Sequence, residues 1–318
     1  MQETSIHKSA AKLHEPIADL KDRKIVYLIN PISGNKNKKT LVNLIEKYSN
    51  EHGLYCEMFE TSKKGDYVHL QEKIRQERIT DVVVVGGDGS VNQALAALHG
   101  EDVVFGIIPY GSGNGLARAA GIPTKPKLAF DLVLQGRWKY ADAFMVNEHY
   151  GCMLTGLGFD AQIAHEFAKS SQRGLITYTQ QSILNFFKAH PYQFEVEIDG
   201  FSFFTEAYFI SVANGNQFGN NFTIAPQASL DDGLLDIVIV QKMSKAKLPF
   251  AVLKQIRGNN ELEQFVSSVS SKNILYFQKP SVKIKNIKHA PIHIDGDPCE
   301  SCRDINIKVL KDNFKLIY

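Results

Sequence analysis

The sequence predicts an α/β parallel-sheet domain followed by a β-rich, β-sandwich-like one. Three observations carry that reading. β-branched runs such as IVYLI at 25–29 and VVVV at 82–85 alternate with helical stretches up to about residue 138, as strands buried on both faces of a parallel sheet do. Beyond Trp138, helical stretches become rare and half-alternating segments such as FEVEIDGFSFFTEAYFISVAN and GLLDIVIV take over, the period of strands. The length, 318 residues, is about twice a modal domain.

In order along the chain, residues 1–20 show no clear apolar period and are expected to form a flexible tail. Residues 21–139 form the α/β domain: strand IVYLIN, a helix within 36–52, strand LYCEMFET, a helix within 65–78, strand DVVVVGG, helix SVNQALAALHG and strand VFGIIP. Residues 140–307 form the β-rich domain, interrupted by helices at about 172–189, ended by Pro191, and at about 245–258. The junction is a change of pattern and not a Gly/Ser linker, which predicts two closely packed domains with a cleft between them.

Composition narrows the function. Basic residues number 36 against 34 acidic, a net charge of +2, too balanced for a long nucleic-acid track. All apolar runs fall below the roughly 18 residues a membrane helix needs, and the polar start, MQETSIHKSAAKLHEPIADLKD, lacks the apolar core of a signal peptide. A cytoplasmic protein is therefore expected. Four scattered cysteines fit reduced thiols, and Cys299-x-x-Cys302 lacks a second ligand pair for tetrahedral zinc.

The chemistry-bearing residues are loops. Gly86-Gly87-Asp88-Gly89-Ser90 leads from VVVV into a helix; glycines there let backbone N–H groups and the positive helix end meet phosphate oxygens. A lone two-glycine turn reads equally well as a tight turn with an ordinary cap. The chain repeats the device, however, at Asn30-Pro31-Ile32-Ser33-Gly34 and at Gly111-Ser112-Gly113-Asn114-Gly115. Three strand-to-helix turns in one parallel sheet converge on its carboxyl edge, where ligands bind in open α/β folds. None is a P-loop or a dinucleotide fingerprint. Asp88 is an acid inside an anion-binding loop, which implies a metal, a ribose or a hydroxyl proton beside it. Lys36, Lys38 and Lys39 read equally as phosphate contacts and as a solvated helix face.

The set NPISG, TSKKGD at 61–66, GGDGSVN and GIIPYGSGNGLAR resembles the catalytic domain shared by diacylglycerol kinases, sphingosine kinases and bacterial soluble lipid kinases. The resemblance runs from about Lys24 to the C-terminus. It implies an NAD kinase/diacylglycerol kinase-like nucleotide domain, a β-rich lipid domain, and the return of 308–318 to the first. It implies that Asn30, Pro31, Ser33, Gly34, Thr61, Gly86, Gly87, Asp88, Gly89, Ser90, Val91, Asn92 and Ser112 line an ATP site. The segment Ser229-Leu230-Asp231-Asp232-Gly233-Leu234 looks like the family's D-G-x-[LF] element, which implies a Mg²⁺ held by the Asp232 carboxylate and the backbone oxygens of Ser229 and Leu234. Taken alone, it reads as an Asp-Gly turn.

Asp295-Gly296-Asp297-Pro298 stands where the family has D-G-E-P, whose last acid takes the proton from the lipid hydroxyl. Asp297 is the expected base, one methylene shorter than Glu, and Asp88 its rival. The expectation is an ATP- and Mg²⁺-dependent lipid kinase, peripheral to membranes, that meets its lipid by transient surface contact and binds no nucleic acid; a homodimer stays open. Diacylglycerol is the default acceptor and a sphingoid base the competitor. The alternatives are a catalytically weak ATP- and lipid-binding sensor and an NAD-kinase-like kinase of a soluble substrate.

Overall fold

The computed structural model describes residues 12–30, 38–62, 65–169, 189–217, 225–242 and 273–318. Four parallel strands, β1 (Lys24–Ile29), β2 (Tyr55–Glu60), β3 (Asp81–Gly86) and β4 (Val104–Pro109), lie in the order β2-β1-β3-β4. β3 and β4 are buried along their whole length, and β1 is buried from Ile25 to Ile29, which explains apolar runs without alternation.

Helices α1 (Lys38–Glu51), α2 (Val68–Glu77), α3 (Asp88–Leu98), α4 (Gly115–Ala119) and α5 (Pro126–Gln135) follow or connect these strands. α5 begins with proline in its first turn and stops at Gly136, whose φ of 66° is the left-handed cap. Its Phe130 packs on Tyr27 of β1 and stacks on Tyr48 of α1, at ring distances of 6.0 and 5.4 Å. The helices predicted at 172–189 and 245–258 lie outside the described residues, except for Ala189, which is not helical.

The second half is antiparallel. β5 (Trp138–Val146), β6 (His149–Gly151) and β7 (Leu154–Gly158) precede helix α6 (Phe159–Lys169). Strands β8 (Tyr192–Ile198), β9 (Phe201–Ala213), β10 (Leu235–Gln241), β11 (Ile274–Lys279), β12 (Ser281–Asn286), β13 (Ile292–Ile294), β14 (Asp297–Cys299) and β15 (Asp304–Ile317) follow. Their order is β14-β13-β7-β9-β8-β12-β15, with β10 pairing β9 and β11. β10 separates two apolar clusters: Leu235, Ile237 and Ile239 face one, Val238 and Val240 the other. That layering is the sandwich-like half.

β15 ties the halves together. It pairs antiparallel with β12 and β5, then parallel with β4 at Lys315↔Val104 and Leu316↔Phe105. One expectation is corrected over residues 14–20, which were assigned to a flexible tail. His14 exchanges backbone hydrogen bonds with Trp138 at 2.8 and 3.1 Å and stacks on its ring at 4.3 Å, and Leu20–Asp22 form a 3₁₀ turn.

Candidate active site

The parallel register brings the ends of β1, β2, β3 and β4 to one edge, and the loops of interest leave from it. Asn30 follows β1; its amide Nδ2 donates to Ser90 Oγ at 2.6 Å and its backbone N–H to Val85 O at 3.1 Å. Thr61 follows β2 and donates its N–H to Ile29 O. Ser90 is buried in the first turn of α3. A Cβ on Gly86 would stand 2.9 Å from the Ser90 side chain, so that glycine permits the Asn30–Ser90 contact.

The two glycine loops touch each other. A Cβ on Gly111 would lie 2.4 Å from Gly87 Cα, closer than packed atoms come. Asn114, in the left-handed conformation at φ 54°, folds its own loop. Its Oδ1 accepts the Gly111 N–H at 2.9 Å, and its Nδ2 donates to Gly111 O at 2.9 Å. Asp88 Oδ1 accepts the Gly115 N–H at 2.5 Å. Burial raises the Asp88 carboxyl above its ordinary range, while the N–H groups of Gly115, Asn114 and Leu116 pull it back. This carboxylate is an acceptor for α4's first turn, an arrangement that suits an organiser of both loops better than a mobile base.

Of the residues expected to line this edge, Gly87 is partly buried and Gly89 and Ser112 are exposed. Asn92 keeps a buried Oδ1 without a hydrogen bond. Val91 departs from expectation as a lining side chain: it is 4% exposed and belongs to the core. Pro31, Ser33, Gly34 and Lys36 lie outside the described residues, as do the side chains of Lys38 and Lys39.

A second group of residues lies in the β half. Asp295 and Gly296, with φ of 50° and 90°, are the two-residue turn joining β13 to β14, the double positive-φ arrangement that favours Asp-Gly. The Asp295 carboxylate accepts N–H bonds from Cys152 at 2.8 Å, Met153 at 2.9 Å and Leu154 at 2.8 Å. Burial raises its carboxyl, and those three N–H groups oppose the rise. Asp295 is thus a brace that the sequence motif does not separate from Asp297.

Asp297 is the first residue after the turn and is exposed. Partial loss of hydration raises its carboxyl and the nearby His293 lowers it, with the net direction upward. Just before the segment that Asp295 braces, Tyr150 stacks on His99, at the C-terminal end of α3, at 4.9 Å. The buried Cys152 thiol is pushed up by burial first and then by the carboxylates of Asp295 and Asp88. The Asp295 and Asp88 carboxylates therefore both act on Cys152.

The 229–234 loop is organised by Asp142, a fully buried residue that sequence reasoning missed. Its Oδ2 accepts the Gly233 N–H at 2.6 Å and its Oδ1 the Asp312 N–H at 2.8 Å. Ser229 Oγ donates to Asp231 at 2.5 Å, and Asp232 Oδ1 accepts the Leu234 N–H at 3.0 Å. No group of three or more His, Cys, Asp or Glu side chains is arranged around a metal among the described residues. The expected set of one carboxylate and two backbone oxygens is all oxygen, which fits a hard cation.

Residues 24–146 match the diacylglycerol kinase catalytic domain, and residues 154–308 match the YegS C-terminal NAD kinase beta sandwich-like domain. The chain is 26% identical to a diacylglycerol kinase of Bacillus subtilis strain 168 over 284 residues, 87% of this chain and 90% of that one. It is 27% identical to a "Probable lipid kinase YegS-like" of Chromohalobacter salexigens over 255 residues, 78% and 79% of the two chains. A crystal structure of a diacylglycerol kinase from Bacillus anthracis str. Sterne superposes with a TM-score of 0.69 at 19% identity, covering 93% of this chain and 97% of that one; it shows the fold.

Proposed function

The chain belongs to the diacylglycerol kinase-like family of kinases, and on that premise we propose that it transfers the γ-phosphoryl group of ATP to the hydroxyl of an amphiphilic lipid. The observation that carries the reading is the exposed Asp297 carboxylate at the end of a turn that Asp295 braces against Cys152, Met153 and Leu154.

In this reading the backbone N–H groups of Gly87, Gly89 and Ser112 hold the phosphates. Asp88 keeps the two loops in register through Gly115. Asp297 accepts the lipid hydroxyl proton as the lipid oxygen bonds to the γ-phosphorus and the bond to the leaving ADP oxygen breaks. Its raised carboxyl favours that role, because a base nearer neutrality takes a proton more readily. Mg²⁺, when bound, supplies charge neutralisation on the phosphates; Asp232, with the backbone oxygens of Ser229 and Leu234, would hold a separate, structural cation.

Diacylglycerol is the first acceptor to consider, given the family. A sphingoid base is the second, because GSGNGLA carries Gly115 after Asn114, as in the sphingosine-kinase version of the motif. No helix among the described residues is long and apolar enough to cross a membrane, and the proposed encounter with lipid is transient contact at a bilayer surface.

The test is ADP release by the purified protein with Mg²⁺-ATP and detergent-dispersed diacylglycerol, sphingosine or NAD, beside Asp297→Ala and Asp88→Ala. Lipid-stimulated turnover lost in Asp297→Ala supports the reading and ranks the acceptors. Stimulation by NAD alone, or ATP binding with no stimulated turnover, overturns it.

A further inference from the structure

We infer that His293 and Asp160 form a buried positioning pair that aims Asp297, an inference that rests on Asp297 being the base. His293, in β13, is fully buried. Its Nδ1 accepts the Gly296 N–H at 3.1 Å, which leaves a ring hydrogen on Nε2. That nitrogen stands 3.4 Å from Oδ2 of Asp160, a buried acid in the first turn of α6. One ring thereby connects the turn that carries Asp297 to the start of a helix.

The connection has been given space at a cost. A Cβ on Gly156 of β7 would lie 2.3 Å from Asp160 Oδ2 and 2.5 Å from His293 Nε2. Residue 156 is the cross-strand partner of His293 in the β13–β7 pair. The Thr155 hydroxyl, from the same strand, donates to His293 O at 2.7 Å. Burying a carboxylate and an imidazole costs more than burying aliphatic side chains of equal size. On the turn, this pair acts at Gly296, the residue before Asp297. Asp295 fixes the turn toward residues 152–154, and His293 fixes it from inside the hairpin. Two restraints in different directions set where the Asp297 carboxylate stands. Such control matters for a base whose arm is short, since a displacement of about an ångström can cost on the order of 100-fold in rate.

The experiment is steady-state kinetics on the full chain with Mg²⁺-ATP and the best acceptor of the ADP-release assay, comparing His293→Leu, His293→Asn, Asp160→Asn, Asp297→Asn and the double variants with Asp297→Asn. His293→Leu is expected to lower kcat about 10- to 100-fold while the KM for ATP stays within about twofold. His293→Asn, whose amide oxygen can replace Nδ1 as acceptor for the Gly296 N–H, recovers most of that loss. In the Asp297→Asn background neither His293→Leu nor Asp160→Asn has a further effect, the signature of residues acting through one group. A loss that multiplies in that background, or Leu and Asn variants equally impaired though folded by circular dichroism, overturns the positioning role. If His293→Leu does not fold, the Asn and Asp160→Asn variants decide, and unchanged kcat in Asp160→Asn removes Asp160 from the pair. Full activity in Asp297→Asn alone defeats the base assignment and this inference with it; an Asp297→Asn of low residual activity that His293→Leu lowers by a further equal factor defeats only the inference.

Discussion

The Asp88 carboxylate accepts the Gly115 N–H at 2.5 Å across 27 residues of sequence. This bond helps join the loop after β3 to the loop after β4, with the backbones in contact at Gly87 and Gly111. An acid inside an anion-binding loop is otherwise unfavourable; here its charge is spent on the N–H groups that open α4. Asp88→Ala is expected to lower stability by about 1 kcal/mol, the order of a lost helix cap, and to weaken ATP binding about 10-fold by freeing the two loops. Asp88→Asn, which keeps an acceptor, should lose less of both. Calorimetric titration with ATP checks this, and wild-type affinity in Asp88→Ala would remove Asp88 from the nucleotide site.

Gly111→Ala tests the loop contact directly. The added methyl would meet Gly87 Cα at 2.4 Å and Asn114 Oδ1 at 3.0 Å, and backbone cannot swing aside as a side chain can. The loops must separate by an ångström or so, which is expected to abolish ATP binding while leaving the β half folded. Retained ATP affinity in a folded Gly111→Ala protein would show that the loops need no close approach.

Arg23 and Asp81 form a buried bidentate pair at 3.0 and 2.6 Å, and Arg23 Nη1 also donates to Val133 O and Leu134 O. Arg23→Ala leaves the Asp81 carboxylate with the Thr80 hydroxyl in place of a guanidinium and strips two α5 carbonyls of their donor. A loss of about 3–5 kcal/mol is expected, as for other broken buried pairs, measured as the shift in urea midpoint. Little change in midpoint would show that water reaches Asp81 once the guanidinium is gone.

Much of this site was legible in the residues because its phosphate side is local. Each loop is a glycine run between a strand and a helix, and the registers of β1, β3 and β4 place such runs on one edge. The β half was less legible because its restraints are distant. Asp142 meets Gly233 and Asp312, 91 and 170 residues away, and His293 of β13 meets Asp160 of the distant helix α6. No period announces a buried acid inside an apolar strand. The motif Asp295-Gly296-Asp297 presents two carboxylates of one type, and only the three N–H bonds on Asp295 distinguish the brace from the exposed Asp297. Val91 was misjudged because a motif assigns a position and not a direction; one residue past Ser90, the helix has turned its side chain into the core.

Asp142 gives a prediction about pH. Its carboxyl is pushed up to about 6, by burial first, against the opposing N–H groups of Asp312 and Gly233 and with the Asp312 and Asp232 charges adding to the rise. In the unfolded chain the same group titrates near its ordinary value of 3.8. Between those values the folded protein holds a proton that the unfolded chain has released. Stability from this group is therefore greatest at low pH and declines as pH rises through the window, levelling off above about 6. A displacement of roughly two units corresponds to about 3 kcal/mol in total. Asp142→Asn cannot titrate, so urea unfolding at pH 4, 5, 6 and 7 should show the wild type losing about that much relative to the variant across the series. A constant offset is expected as well, because Asn has one oxygen for two N–H donors; the offset does not change with pH and the titration does. Parallel stability curves for the two proteins between pH 4 and 7 would mean that Asp142 ionises as an ordinary carboxylate, and the charge repulsion among Asp142, Asp232 and Asp312 would then be too weak to favour a cation at the 229–234 loop.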